Sequence, residues 1–293
     1  MNVYMVTDIE GVAGVVFYEH RHAQMSLLNH DLLHRNRLLL TEEVNSAVRG
    51  ALEAGADSVV IHDHHGGGYN IFPEALHPDA ELIHGRNEHT LALGSRHPDL
   101  DESVDALVLL GMHAKAGTVA GCTPHSLICV HDGQGRDHEL SEATMSMACA
   151  GDLGVPCVFI AGDRATVEDA LALVPQMSHV MTKRHYASQL ARTRSPVRSR
   201  ELIQAGVREG LAGREAIAPF RIPGPCTVRV ADRNPNVRWP EHPNARASFT
   251  EALNDTLCNV PWYKPVTKID DGWRWPDRTT PSQTPNDVWN YLP

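Results

Sequence analysis

Three short apolar runs in the first part of the chain each end on carboxylate or imidazole side chains, and this repeated pattern narrows the folds open to it. Val3-Tyr4-Met5-Val6-Thr7 leads into Asp8-Ile9-Glu10-Gly11. Ser58-Val59-Val60-Ile61 leads into His62-Asp63-His64-His65, with three glycines behind. Val104-Asp105-Ala106-Leu107-Val108-Leu109-Leu110-Gly111 leads into Met112-His113-Ala114-Lys115. Runs this short and apolar read as strands of a sheet. Groups just beyond the carboxyl ends of such strands gather along one rim, where open α/β sheets bind ligands. Asp8 and Glu10 share a side because strand side chains alternate with period two.

Each piece also has a plainer explanation. Asp8 reads as a helix cap and Glu10 as part of a solvated turn. A lone histidine is ordinarily a surface or core-edge residue, and His20, His22, His30, His34, His77, His84, His89 and His97 read as solvated. His65 and His113 differ from these by standing directly after buried-strand patterns. Two more candidates follow downstream, His125 in Thr123-Pro124-His125-Ser126 and Glu142 at the head of a helix-like segment.

The coarse pattern alternates. A helix is expected from about 38 to 54, closed by Gly55. Strands are expected near 58–62, 104–111, 127–131 and 157–161, and helices near 140–152 and 166–173. The fold class is therefore α/β, a mostly parallel sheet flanked by helices. The expected domains are a metal-binding catalytic domain over 1–190, a smaller C-terminal lobe over 191–258 and an aromatic, proline-rich C-terminal arm over 259–293. The lobe has a helix near 200–211 and a strand near 227–230. All five tryptophans lie at 239 or beyond, and a free tail is usually poor in aromatics, so this region is expected to pack on its own domain or a neighbouring subunit. Alternatively, one of the tryptophans or Arg274 lines a substrate pocket.

These words in this order resemble the M55 family of zinc-dependent D-aminopeptidases. The matching stretches are Tyr4-Met5-x-x-Asp8-x-Glu10-Gly11, Thr41-Glu42-Glu43-x-Asn45, Asp63-x-His65, Leu76-His77-Pro78-x-Ala80-x-Leu82-Ile83, Gly111-x-His113-Ala114, His125-Ser126, Glu142, and Val155-Pro156 before Ala161-Gly162-Asp163. The resemblance covers about residues 1–190, more loosely to about 240. It implies two Zn2+ per chain, with Mn2+ or Co2+ as other divalent occupants. Asp8 would bridge them, Glu10 and His65 would complete the first site, and His113 and Glu142 the second. His125 matches the family's catalytic histidine, acting as base, acid or nucleophile. Mixed carboxylate and imidazole ligands suit zinc, and a pair of ions about 3.5–4 Å apart needs a bridging carboxylate. His64 competes with His65, and Glu139 with Glu142, for their places.

The activity implied is two-metal hydrolysis of an amide bond, by an aminopeptidase acting on short peptides or amides containing D-amino acids. The alternatives are hydrolysis of a non-peptide small-molecule amide or related C–N bond, and a non-catalytic metal-binding scaffold. The resemblance also implies a homo-oligomer, a ring of subunits that stacks in the family as pentamers. A formal charge of −10 argues against nucleic acid as a partner. No apolar stretch approaches a membrane span, and Met1 leads straight into the first strand, so no membrane partner or signal peptide is expected and the cytoplasm is the expected compartment. The six cysteines form no CxxC pair, which argues against a disulfide framework or a structural zinc cluster. Cys122, three residues before His125, is the one candidate thiol nucleophile.

Overall fold

The apolar runs form strands where their pattern places them. A computed structural model describes residues 1–16, 27–66, 68–85, 96–187, 189–231, 244–258, 267–269 and 272–274. In chain order the strands are β1 (Asn2–Thr7), β2 (Ser58–Asp63), β3 (Glu81–Ile83), β4 (Ala106–Met112), β5 (Leu127–His131), β6 (Asp137–Leu140), β7 (Cys157–Asp163), β8 (Ser178–Ala187), β9 (Leu190–Thr193), β10 (Thr227–Ala231), β11 (Thr267–Ile269) and β12 (Gly272–Arg274). The α-helices are α1 (Leu27–Glu53), α2 (Glu142–Asp152), α3 (Arg164–Leu173), α4 (Pro196–Ala212) and α5 (Phe249–Cys258).

Among the described residues, seven strands make the main sheet in the order β3-β2-β1-β4-β7-β8-β9. All neighbours are parallel except β8 and β9. Every residue of β4 and β7 is buried, so helices cover both faces of the sheet centre. Helix α1 packs along α4, and α2 contacts α3. Leu107, Leu109, Leu110, Phe159 and Ile160 are fully enclosed in this core, each contributing about 1.5–3 kcal/mol relative to exposure.

A second core forms around the antiparallel sheet β10-β5-β6, where Ile128, Val130, Leu140, Val228, Phe249 and Leu253 pack together. Strand β5, expected from the α/β alternation, thus stands outside the main sheet. Strands β11 and β12 pair with each other. The rest of the aromatic arm, including Trp262, Trp275 and Trp289, lies outside the described residues, as does Trp239.

Several elements differ from expectation. Helix α1 starts at Leu27, well before 38, because Asn29, His30, His34 and Asn36 dilute an apolar stripe that becomes plain only at Leu40, Val44, Ala47, Val48 and Ala51. Strands β8 and β9 were not legible, since His179, Lys183, Arg184 and His185 interrupt any apolar run; β8 buries Val180, Thr182 and Lys183.

Strand order reverses between β1 and β4, the sheet's topological switch point. The chain leaving β1 crosses the carboxyl end of β4 at very close range. Gly11 donates its amide to the Gly111 carbonyl at 2.7 Å, and a Cβ on Gly11 would lie 2.1 Å from the Met112 carbonyl oxygen. Gly111 adopts φ +67°, and a Cβ there would lie 1.9 Å from the Asp8 carbonyl oxygen. Gly111→Ala should therefore cost about 2 kcal/mol or more, from left-handed strain plus a backbone clash. Denaturant unfolding would show it, and an unchanged midpoint would contradict this packing.

Candidate metal centre

Each candidate is carried to the rim by the element before it. Asp8 and Glu10 follow β1, His64 and His65 follow β2, and His113 follows β4. Glu142 opens α2, whose cap is Ser141: the serine hydroxyl accepts from the Thr144 amide, and the Thr144 hydroxyl accepts from the Ser141 amide. His125 sits on a loop pinned by its amide to the Ala114 carbonyl (3.2 Å) and by the Ala116 amide to the Ser126 carbonyl (2.8 Å).

The rim brings six of these side chains together in two groups. Asp8, Glu10 and His65 place one donor atom each within 4.8 Å of one another, and so do His113, His125 and Glu142. Asp8 joins the groups: its Oδ1 lies 2.8 Å from His65 Nδ1, and its Oδ2 lies 3.3 Å from His113 Nε2. His65 Nδ1 is also 3.0 Å from Glu10 Oε2, while His113 Nε2 is 3.5 Å from Glu142 Oε1. His125 Nε2 lies 3.6 Å from Glu10 Oε1, and its ring stacks on His113 with centroids 3.7 Å apart. Its side chain is 30 % exposed against 1 % for His113, so His125 is the imidazole facing solvent.

Geometry separates the competing pairs. His64 turns toward Glu142, with Nδ1 3.6 Å from Oε2, while His65 meets Asp8 and Glu10. Glu139 is exposed on β6, and Glu142 faces His113. Cys122 donates its thiol to the Val16 carbonyl at 3.7 Å, and burial pushes its pKa up, against a nucleophilic thiolate. His97, expected in solvent, is buried, with its Nδ1 3.3 Å from that of His62. The neighbouring Arg96 interacts electrostatically with Glu142 and Asp8. No apolar run marks Arg96 and His97 in sequence, because a loop delivers them.

Hydrogen bonding fixes which nitrogens face the cluster. His113 Nδ1 lies 2.8 Å from the Ala114 carbonyl and His125 Nδ1 lies 2.9 Å from the Thr123 carbonyl, so each donates there and turns its Nε2 toward the cluster. His113 Nε2, Asp8 Oδ2 and Glu10 Oε2 are buried and make no hydrogen bond among the described residues. Lone pairs of an imidazole and two carboxylates facing one another repel unless a positive charge lies among them. The donor set therefore fits a divalent cation with nitrogen and oxygen ligands.

The titration behaviour agrees. Burial and the adjacent charge of Glu10 push Asp8 up to about 7, against His113 and His65. Burial also opposes ionisation of Glu10 and Glu142, but imidazoles, His65 first for Glu10 and His113 first for Glu142, outweigh it and hold both well below the usual carboxylate range. Burial disfavours a charged His113, yet Asp8 and Glu142 raise it to about 10. Burial and His113 lower His125. Protons thus supply the positive charge when no metal does, and metal uptake should weaken as pH falls.

Carboxylates and imidazoles gathered at the switch point of an α/β sheet are the working parts of a metal-dependent hydrolase. The family model for the M55 D-aminopeptidases matches residues 1–237, and the chain belongs to that family, as a metal-dependent peptidase. It is 28% identical over 224 residues to a D-aminopeptidase of Bacillus subtilis (strain 168), covering 76% of this chain and 78% of that protein. Its fold matches that of the Zn-dependent D-aminopeptidase DppA from Bacillus subtilis, described as a self-compartmentalizing protease, with a TM-score of 0.73 at 23% identity over 88% of this chain and 96% of the other. Among the described residues no helix is long and apolar enough to cross a membrane.

Proposed function

We propose that this protein is a two-zinc aminopeptidase that hydrolyses the amide bond of short peptides containing D-amino acids. The observation that carries the two-metal reading is Asp8, whose two carboxylate oxygens address different groups, Oδ1 toward His65 and Oδ2 toward His113. Asp8, Glu10 and His65 would hold the first ion, and Asp8, His113 and Glu142 would hold the second. Zinc comes from the chemistry of this donor set and from the named zinc dependence of the Bacillus relative. The D-amino-acid preference comes from the family and the curated relative.

When bound, zinc supplies Lewis acidity, polarising an amide carbonyl and making water acidic enough to attack near neutral pH. His125 supplies the proton traffic. Its Nδ1 is committed to the Thr123 carbonyl, so Nε2 accepts a proton as the C–O bond forms and returns it to the nitrogen as the C–N bond breaks. A pKa lowered by burial and by His113 keeps this ring neutral and ready to accept. Glu10, 3.6 Å from the same Nε2, stabilises the imidazolium once it forms.

The structural likeness to a self-compartmentalizing protease and the exposed apolar side chains of Val119, Tyr186, Leu190 and Val197 support a homo-oligomer. The test of function is a hydrolysis panel of D-Ala-D-Ala, L-Ala-L-Ala, amino-acid amides and simple aryl or alkyl amides, each with and without chelator. Chelator-sensitive cleavage of the D-configured peptide is expected. Cleavage of L-peptides alone, or of non-peptide amides alone, would overturn the substrate assignment.

A further inference from the structure

The strap that follows β1 crosses the rim from β1 past the ends of β4 and β7 to reach β8 and β9, carrying Asp8 and Glu10 at its start. Such a buried strap leaves carbonyl oxygens that need donors. Lys183 of β8, only 3% exposed, provides them: its ammonium donates to the carbonyls of both Glu10 and Val15. Beside it, the Thr182 hydroxyl lies 2.5 Å from the Gly11 carbonyl oxygen and 2.9 Å from that of Gly162. Glu43 of α1 takes a donor of the strap, accepting from the Ala13 amide at 3.1 Å, and ties it to α4 by accepting from the Ser199 hydroxyl at 2.9 Å. The Gly14 amide donates to the Thr193 hydroxyl at 2.8 Å.

A lysine buried here is not a neutral choice. Its charge lies close enough to Glu10 to interact with it, where a cation by itself would disfavour binding of another cation. Its favourable contribution is geometric. The Glu10 carbonyl it grips is on the same residue as a carboxylate of the cluster, and Asp8 lies two residues upstream. Fixing that carbonyl sets the angle at which both side chains meet His65 and His113.

We propose that Lys183, assisted by Thr182, is a positioning residue for the metal centre, holding the strap so that Asp8 and Glu10 converge. This rests on the metal-centre reading above. The two effects of the lysine have opposite signs, which makes the inference testable. Removing a cation without disturbing geometry would tighten zinc binding, whereas releasing the strap would weaken it.

The experiment is zinc titration of metal-free wild type, Lys183→Met and Thr182→Val, with folding checked by circular dichroism and kcat and KM measured at saturating zinc. Lys183→Met is expected to bind zinc about 10- to 100-fold more weakly, the range seen when a residue supporting metal ligands is lost. Thr182→Val should weaken binding in the same direction by a smaller factor, and kcat should fall in both with KM nearly unchanged. A folded Lys183→Met that binds zinc as tightly as wild type, or more tightly, would overturn the inference. Should Lys183→Met fail to fold, unchanged affinity in Thr182→Val would overturn it. Failure of the metal-centre reading itself would look different, since wild type would then take up no zinc.

Discussion

Asp8→Ala should remove both metals and nearly all activity. Under the proposed two-zinc reading, a residue that serves a single site would leave the other loaded, whereas Asp8 presents one oxygen to each group of candidate ligands. The expected loss in kcat/KM is at least about a thousandfold, on the order of 4 kcal/mol of transition-state stabilisation. Unfolding should not be the cause. In the metal-free protein burial and the charge of Glu10 push Asp8 up to about 7 against its contacts with His113 and His65, so deleting it removes a buried carboxylate whose ionisation the folded state disfavours. Metal-free Asp8→Ala should therefore unfold no earlier than metal-free wild type, while metal analysis shows zinc lost from both sites. Retention of one tightly bound zinc would contradict the bridging role.

His125→Ala should separate chemistry from binding. With His113 and Glu142 left in place, zinc content should stay near that of wild type, while kcat drops by about 10²- to 10⁴-fold, the usual contribution of a positioned general acid–base group. The structure also groups His125 with His113 and Glu142 as a third possible donor, so metal analysis decides between the roles. Loss of zinc with His125 would make it a ligand.

A smaller effect follows from Glu43, which burial raises to about 7 despite its hydrogen bonds from Ser199 and Ala13 and the charges of Lys183 and Arg200. Between its unfolded pKa near 4.5 and about 7, the folded protein keeps a proton that the unfolded chain has released. Its contribution to stability is therefore greatest below that window and declines as pH rises through it, by up to about 3 kcal/mol at about 1.4 kcal/mol per pKa unit. Glu43→Gln should flatten this part of the stability profile in metal-free protein; parallel profiles for the two proteins would contradict it.

The strands of the rim were legible because burial on both faces writes itself as an uninterrupted apolar run, as in Leu107 to Leu110. The side chains just after those runs were legible for the same reason. Less legible was everything fixed by long-range polar contact. Glu43 lies in a stretch that reads as a polar helix start, yet it is buried and binds a loop thirty residues upstream. Its neighbours Thr41 and Asn45 hold the connection after β2, Thr41 through the Phe72 amide at 3.1 Å and Asn45 through the His77 amide and the Ala75 carbonyl, both at 2.8 Å. Lys183 sits in a strand too polar to recognise. His97 looked solvated because no periodic pattern surrounds it, and only tertiary packing brings it beside His62. Sequence pattern reports what a residue's own element buries, and it is silent on partners that arrive from elsewhere.

The most direct test of the central claim is a zinc titration of chelator-stripped protein, following bound zinc and D-Ala-D-Ala hydrolysis in the same samples. The expected result is an inactive metal-free protein that regains activity as zinc is added, saturating at two zinc ions per chain. Full activity without metal, or activity complete at one zinc per chain, would contradict a bridged two-metal centre at Asp8.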